Sequence, residues 1–118
     1  MTGPASESDD PAHPIPFLGN VDFVAVYEGG RGALFMTLTS PLDADERTQR
    51  RLLDKLHTYL RYTREPEYLE RCGNAPAEIR VDISDASHPV IFQLLDRCAP
   101  WVAENGARLV VERRPTAQ

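Results

Sequence analysis

Lysine is nearly missing from this chain: Lys55 stands alone beside twelve arginines. A genome rich in G and C produces that bias through codon usage, so it is no sign of phosphate recognition. A basic surplus is also lacking. Thirteen basic residues face 18 acidic ones, for a net charge of −5, which argues against loose binding to nucleic acid or to an anionic membrane. The two cysteines, Cys72 and Cys98, are too few for a disulfide framework. No apolar run approaches the ~18 residues needed to span a bilayer. The opening MTGPASESDDPAHP has neither a basic start nor an apolar stretch, so no secretory signal is expected and the expected address is cytoplasmic. Ten prolines and seven glycines are too few for a collagen-like chain, and 42% hydrophobic residues are too many for a wholly disordered one. At 118 residues, one small domain is expected.

What is present divides into three parts. Residues 1–20 read as a disordered tail, because Pro4, Pro11, Pro14 and Pro16 remove backbone donors and Glu7, Asp9 and Asp10 resist burial. Residues 21–114 read as the domain and 115–118 as a disordered end. Val21–Glu28 and Ala33–Thr39 are β-rich segments joined by Gly29-Gly30-Arg31-Gly32, where glycine supplies the positive φ of a tight turn. A phosphate-cradling loop would lead into a helix instead. Asp43 is the expected cap of the next helix, with Glu46 completing a capping box. Leu52, Leu53, Leu56, Tyr59, Leu60 and Thr63 form its apolar stripe, and Arg47, Arg50, Arg51, Asp54, Lys55, Thr58 and Arg61 the wetter sides. Pro66 ends it, and Glu67–Cys72 is a short helical turn closed by Gly73. Ile79, Val81 and Ile83 alternate with charged residues in a third strand. Ser87 or Asp85 would cap a second helix, with Pro89 in its first turn and Pro100 kinking it or splitting off its end. Ala107–Arg113 is the last strand. The predicted fold is α/β of the α+β type: two-layer ββαβαβ, a four-stranded mixed sheet with both helices on one face.

Five candidates bear on function. Asp82, Asp85, Ser87 and His88 gather at the carboxyl end of the third strand, where open α/β sheets tend to bind ligands, although helix capping explains them as well. His57, Tyr59 and Tyr62 share the long helix and read as filling at the core's border. Cys72, Cys98, His57 and His88 lack the close pairing of zinc ligands, so no metal and no cofactor is expected. The hairpin places either Val24 and Val26, or Phe23, Ala25 and Tyr27, on the sheet face away from the helices. Trp101 either covers the core's edge or anchors an interface.

Residues 21–112 resemble an uncharacterised bacterial family of small α/β domains. VDFVAVYEGGRGALFMTLT, LLDKLHTYLRY, PAEIRVDISDASHP and the closing LVVE carry the likeness, and Glu65–Gly73 matches only loosely. The resemblance implies the fold and brings no activity and no catalytic residue. Taken together, the expected function is a non-catalytic binding or regulatory module that self-associates through the open sheet face. Phe23, Ala25, Tyr27 and Trp101 are its interface candidates, and the expected partner is a second copy or another protein. The alternatives are a small enzyme using the Asp85/Ser87/His88 corner, or an immunity-type protein that blocks a partner.

Overall fold

The structure, a computed structural model, describes residues 9–73 and 75–115. The ends of the expected disordered segments, residues 1–8 and 116–118, lie outside the described residues. Seven elements follow in order: β1 (Phe23–Val26), β2 (Gly32–Leu38), α1 (Glu46–Tyr62), α2 (Pro66–Cys72), β3 (Ala77–Ser84), α3 (Pro89–Glu104) and β4 (Ala107–Arg114). One four-stranded mixed sheet runs β1-β2-β3-β4. β1 is antiparallel to β2, while β2, β3 and β4 are parallel. The fold class is therefore α/β as expected, with three helices rather than two. The added one is the short α2.

Each crossover steps one strand in the same direction, so the helices that make them belong on one side of the sheet. The packing agrees. Leu34, Met36 and Leu38 of β2 pair in register with Ile79, Val81 and Ile83 of β3. Those six side chains share one buried cluster with Leu52, Leu56 and Leu60 of α1 and Ile91, Leu95 and Val102 of α3. Gly29 and Gly30 take φ of 91° and 86° in the hairpin turn. Gly32 has a different reason to lack a side chain, because the Tyr68 hydroxyl and the Cys72 sulfur of α2 lie against it. Burial pushes the Tyr68 phenol up to about 12.

The helix ends correct two expectations. Asp45, not Asp43, caps α1: its carboxylate accepts from Thr48 N at 3.2 Å and Thr48 Oγ1 at 2.7 Å. Thr48 offers two donors, where the Asp43–Glu46 box would offer its carboxylate one. His88, not Ser87 or Asp85, caps α3, with Nδ1 accepting from Val90 N at 3.0 Å. Pro89 occupies the first turn, and α3 continues to Glu104 through Pro100 without splitting.

The larger correction concerns the tail. The expected boundary at residue 21 is not where packing begins, because Ile15 is fully buried and Leu18 nearly so, both in the main core cluster. Residues 9–20 lie along α1 as a strap. Arg47 Nη2 pairs with Asp10 at 2.7 Å. Arg51 donates to Ile15 O from Nε at 3.0 Å and from Nη2 at 2.7 Å. Lys55 Nζ donates to Phe17 O at 2.6 Å, and Thr58 Oγ1 to Leu18 O at 2.6 Å. Arg51, Lys55 and Thr58, expected on wetter sides, are thus buried, while Leu53 of the expected apolar stripe is exposed.

His13 latches the strap's start. Its Nδ1 accepts from Ile15 N at 2.9 Å, which places the ring proton on Nε2, 3.2 Å from Thr48 Oγ1. A protonated ring has no acceptor left for Ile15 N–H. Burial, then the Arg51 and Arg47 charges, hold the imidazole below its ordinary 6.5, with Asp10 and Asp45 opposing. A histidine depressed on docking contributes its full stability above 6.5 and loses it as pH falls from there through its docked value. The protection of the Ile15 amide, relative to the intrinsic exchange rate at each pH, should therefore fall on mild acidification, and by more than protection in β3. Equal protection at neutral and mildly acidic pH would contradict the latch.

Candidate functional site

Strand alternation fixes what the uncovered sheet face presents. With Leu34, Met36 and Leu38 turned to the core, Ala33, Phe35 and Thr37 occupy the opposite face. Register adds Phe23 opposite Phe35 and Ala25 opposite Ala33. Of the two hairpin sets left open, register puts Phe23 and Ala25 on the face of Phe35 and Ala33, while Val24 packs against the core and Val26 is 40% exposed. Phe23 is 60% exposed, its ring centroid 5.6 Å from that of Phe35. Tyr27, also exposed, carries Arg31 over its ring at 5.9 Å. Phe35 escaped the sequence reading, although the alternation of Leu34, Met36 and Leu38 points to it.

The other half of this face is charged and internally paired. Arg80 bonds Glu78 at 2.7 Å and Glu112 at 2.9 Å. Arg114 bonds Asp82 at 2.6 Å and also donates to Leu38 O at 2.7 Å. Arg108 lies 3.9 Å from Glu78. The hydrogen bond from Arg80 holds the Glu78 carboxyl below its usual range. Three arginines and three carboxylates leave this half electrically balanced. The face is therefore divided: an aromatic half over β1 and β2, and an ion-paired half over β3 and β4.

The polar corner at the end of β3 is not gathered into a site. Asp82 pairs with Arg114 on the uncovered face, and Asp85 N donates to Arg114 O at 2.9 Å. Ser87 is buried, its hydroxyl accepting from Leu42 N at 2.9 Å. His88 caps α3, and its N–H donates to Leu42 O at 2.9 Å. Ser87 and His88 thus anchor the β2–α1 connection to the start of α3, and that use accounts for both polar groups without a substrate.

Trp101 lies in the helix layer rather than on the uncovered face. Its ring meets His57 of α1 edge-on at 6.0 Å, where it covers the core's edge. Cys72 and Cys98 are both buried thiols, and burial raises the Cys98 thiol. Among the described residues no group of three or more His, Cys, Asp or Glu is placed to hold a metal ion. No helix among the described residues is long and apolar enough to cross a membrane. A cleft of about 480 Å³ opens where the strap's end meets α1, lined by Asn20, Val24, Arg61, Tyr62, Glu65 and Glu67 among others, and it contains no histidine or cysteine. No family model, curated protein or solved structure matches this chain.

Proposed function

We propose that this protein is a non-catalytic module that self-associates face to face through the uncovered side of its sheet. The observation that carries this reading is the aromatic half of that face, centred on Phe23 at 60% exposure and its neighbour Phe35. Contiguous apolar surface of this kind marks interaction sites on small proteins. The ion-paired half supports the arrangement in a different way. Its charges are already matched within one chain, so it presents little unmatched charge to recruit an oppositely charged partner. A second copy related by a two-fold axis would lay aromatic half against aromatic half, because such an interface is self-complementary. Exposed aromatics that become buried are the usual energetic centre of such contacts.

Phe23→Asp tests the reading. Phe23 reaches into solvent, so its replacement leaves the core intact. The wild type should sediment as a concentration-dependent dimer, and the variant should associate at least about tenfold more weakly, since a carboxylate would be desolvated at the centre of the contact. A wild type that stays monomeric at high concentration, or a variant that associates equally well, would sink the proposal.

A further inference from the structure

β4 ends the sheet, and among the described residues no strand lies beyond it. It is the longer of the two edges, eight residues against the four of β1. Unpaired main-chain groups at an edge template further pairing, and proline, lysine or a short strand usually blunt it. Ala107–Arg114 contains neither residue. One hydrogen bond fixes the direction of its main chain. Asp85 N, just past the end of β3, donates to Arg114 O at 2.9 Å, so Arg114 turns its main-chain groups to β3. These groups alternate along a strand. Arg108, Val110 and Glu112 therefore face β3 as well, and Leu109, Val111 and Arg113 aim theirs away from the sheet. The side chains of Leu109, Val110 and Val111 are only half-buried, so hydrocarbon stands incompletely covered at the same edge.

We propose that the β4 edge pairs with the β4 edge of a second copy, antiparallel about a two-fold axis at Val110, so that two sheets join into one of eight strands. Charge complementarity names the occupant. Outward main-chain groups can bond only to outward ones, so Leu109, Val111 and Arg113 must lie opposite odd-numbered neighbours. Among the registers this allows, the axis at Val110 sets Arg108 against the second copy's Glu112 and Val110 against its own counterpart. Leu109 then faces Val111, and Arg113, which lies over the Phe92 ring at 3.9 Å, faces the small Ala107. Moving the axis to Leu109 sets Arg108 against Val110. Moving it to Val111 sets Arg108 against Arg114. Opposite charges across a strand pair stabilise it and like charges weaken it, so the Val110 register is preferred. Both ions are available, with 78% of the Arg108 side chain and 53% of the Glu112 side chain exposed, and Arg108 reaches its own Glu78 only at 3.9 Å. The aromatic half of the uncovered face lies at the opposite edge, so this pairing neither uses nor blocks it.

A contact of one strand per copy is small and belongs with the weak, concentration-dependent associations, so it is best read by trapping. Cys72 and Cys98 are buried, which leaves an introduced surface cysteine as the accessible thiol. In the Val110 register the two copies of residue 110 form a non-hydrogen-bonded pair with Cα atoms about 4.5 Å apart, within the span of a disulfide. The two copies of residue 112 lie about 14 Å apart. Val110→Cys, Glu112→Cys and an equal mixture of Arg108→Cys with Glu112→Cys are each made in the Phe23→Asp chain, oxidised in air at high concentration and followed by non-reducing electrophoresis. Val110→Cys is expected to cross-link at least about tenfold faster than Glu112→Cys alone, and the mixture to yield a dimer joining residue 108 to residue 112. Equal rates at 110 and 112, no cross-link at 110, or no mixed product would each overturn the proposal. Phe23→Asp removes the face contact from all three samples, so failure of the face-to-face reading leaves this result unchanged, and failure here leaves that reading unchanged.

Discussion

Arg51→Ala is expected to lower the unfolding free energy by about 3 kcal/mol, because hydrogen bonds from a buried charged donor contribute about 1.5–3 kcal/mol each and do not add fully. Arg51 is completely buried, and its guanidinium reaches Ile15 O twice and Pro16 O at 3.3 Å. Alanine takes both donors from Ile15 O and one of two from Pro16 O, which keeps the Asp10 N–H at 2.7 Å, and so leaves unmet acceptors in a buried place. The chain has one way to relieve them, which is to release the strap to water. The loss is therefore capped by the strap's own docking energy, and the released state carries a signature. With the strap already exposed, less surface remains to be exposed on unfolding, and the denaturant slope should fall with the midpoint. Arg51→Lys should recover only part of the loss, since an ammonium lacks the planar fork that meets one carbonyl from two nitrogens. Urea titration followed by circular dichroism reads both quantities. A loss under about 1 kcal/mol with an unchanged slope, the scale of an ordinary surface change, would show that Arg51 does not hold the strap.

Tyr59→Phe is expected to cost about 2 kcal/mol, more than most single hydroxyl deletions, because it strands two groups at once. The Tyr59 hydroxyl accepts from Asp22 N at 3.0 Å and donates to Phe35 O at 2.6 Å. Phe23 pairs with Phe35, so this hydroxyl extends the β1–β2 ladder by one step beyond the last residue pair. Burial raises the Tyr59 phenol above its ordinary value, which keeps the donating proton in place across the physiological range. In the variant, Asp22 N–H and Phe35 C=O face each other across a gap the ring cannot fill. Hydrogen exchange should show the loss first at Asp22 and in β1, the short edge strand, with β3 protection reduced only by the global change. Equal protection of β1 in both proteins would mean that the bridge is dispensable.

Much of the fold was legible because its elements bury alternating or helically spaced hydrocarbon. Ile79, Val81 and Ile83, and the paired glycines of the hairpin, announce themselves by residue type. The strap did not, and the reason is an asymmetry in proline. Pro14 and Pro16 read as a tail because they cannot donate, yet this segment docks by accepting, a capacity proline retains. Its receptor was hidden for the matching reason. Arg51, Lys55 and Thr58 read as a wet helix face, since charged residues are rarely buried without partners, and main-chain carbonyls leave no mark in a sequence. At the candidate corner, Asp85, Ser87 and His88 were legible as polar neighbours, but not the division of labour that sends Ser87 to Leu42 and makes His88 the cap. On the uncovered face, Phe23, Ala25 and Tyr27 were one of two open sets. Trp101 was placed by packing against His57, a contact between helices that no local pattern encodes.

The burial of Lys55 has a practical consequence. It is the chain's only lysine, with Nζ held between Phe17 O and Asp22 Oδ1 at 2.6 and 2.8 Å and only 2% of its side chain in contact with solvent. Reagents or enzymes that acylate side-chain amines thus have a single target here, and it becomes reachable only when the segment above it departs. The molecule carries a built-in chemical tally of its own opening events.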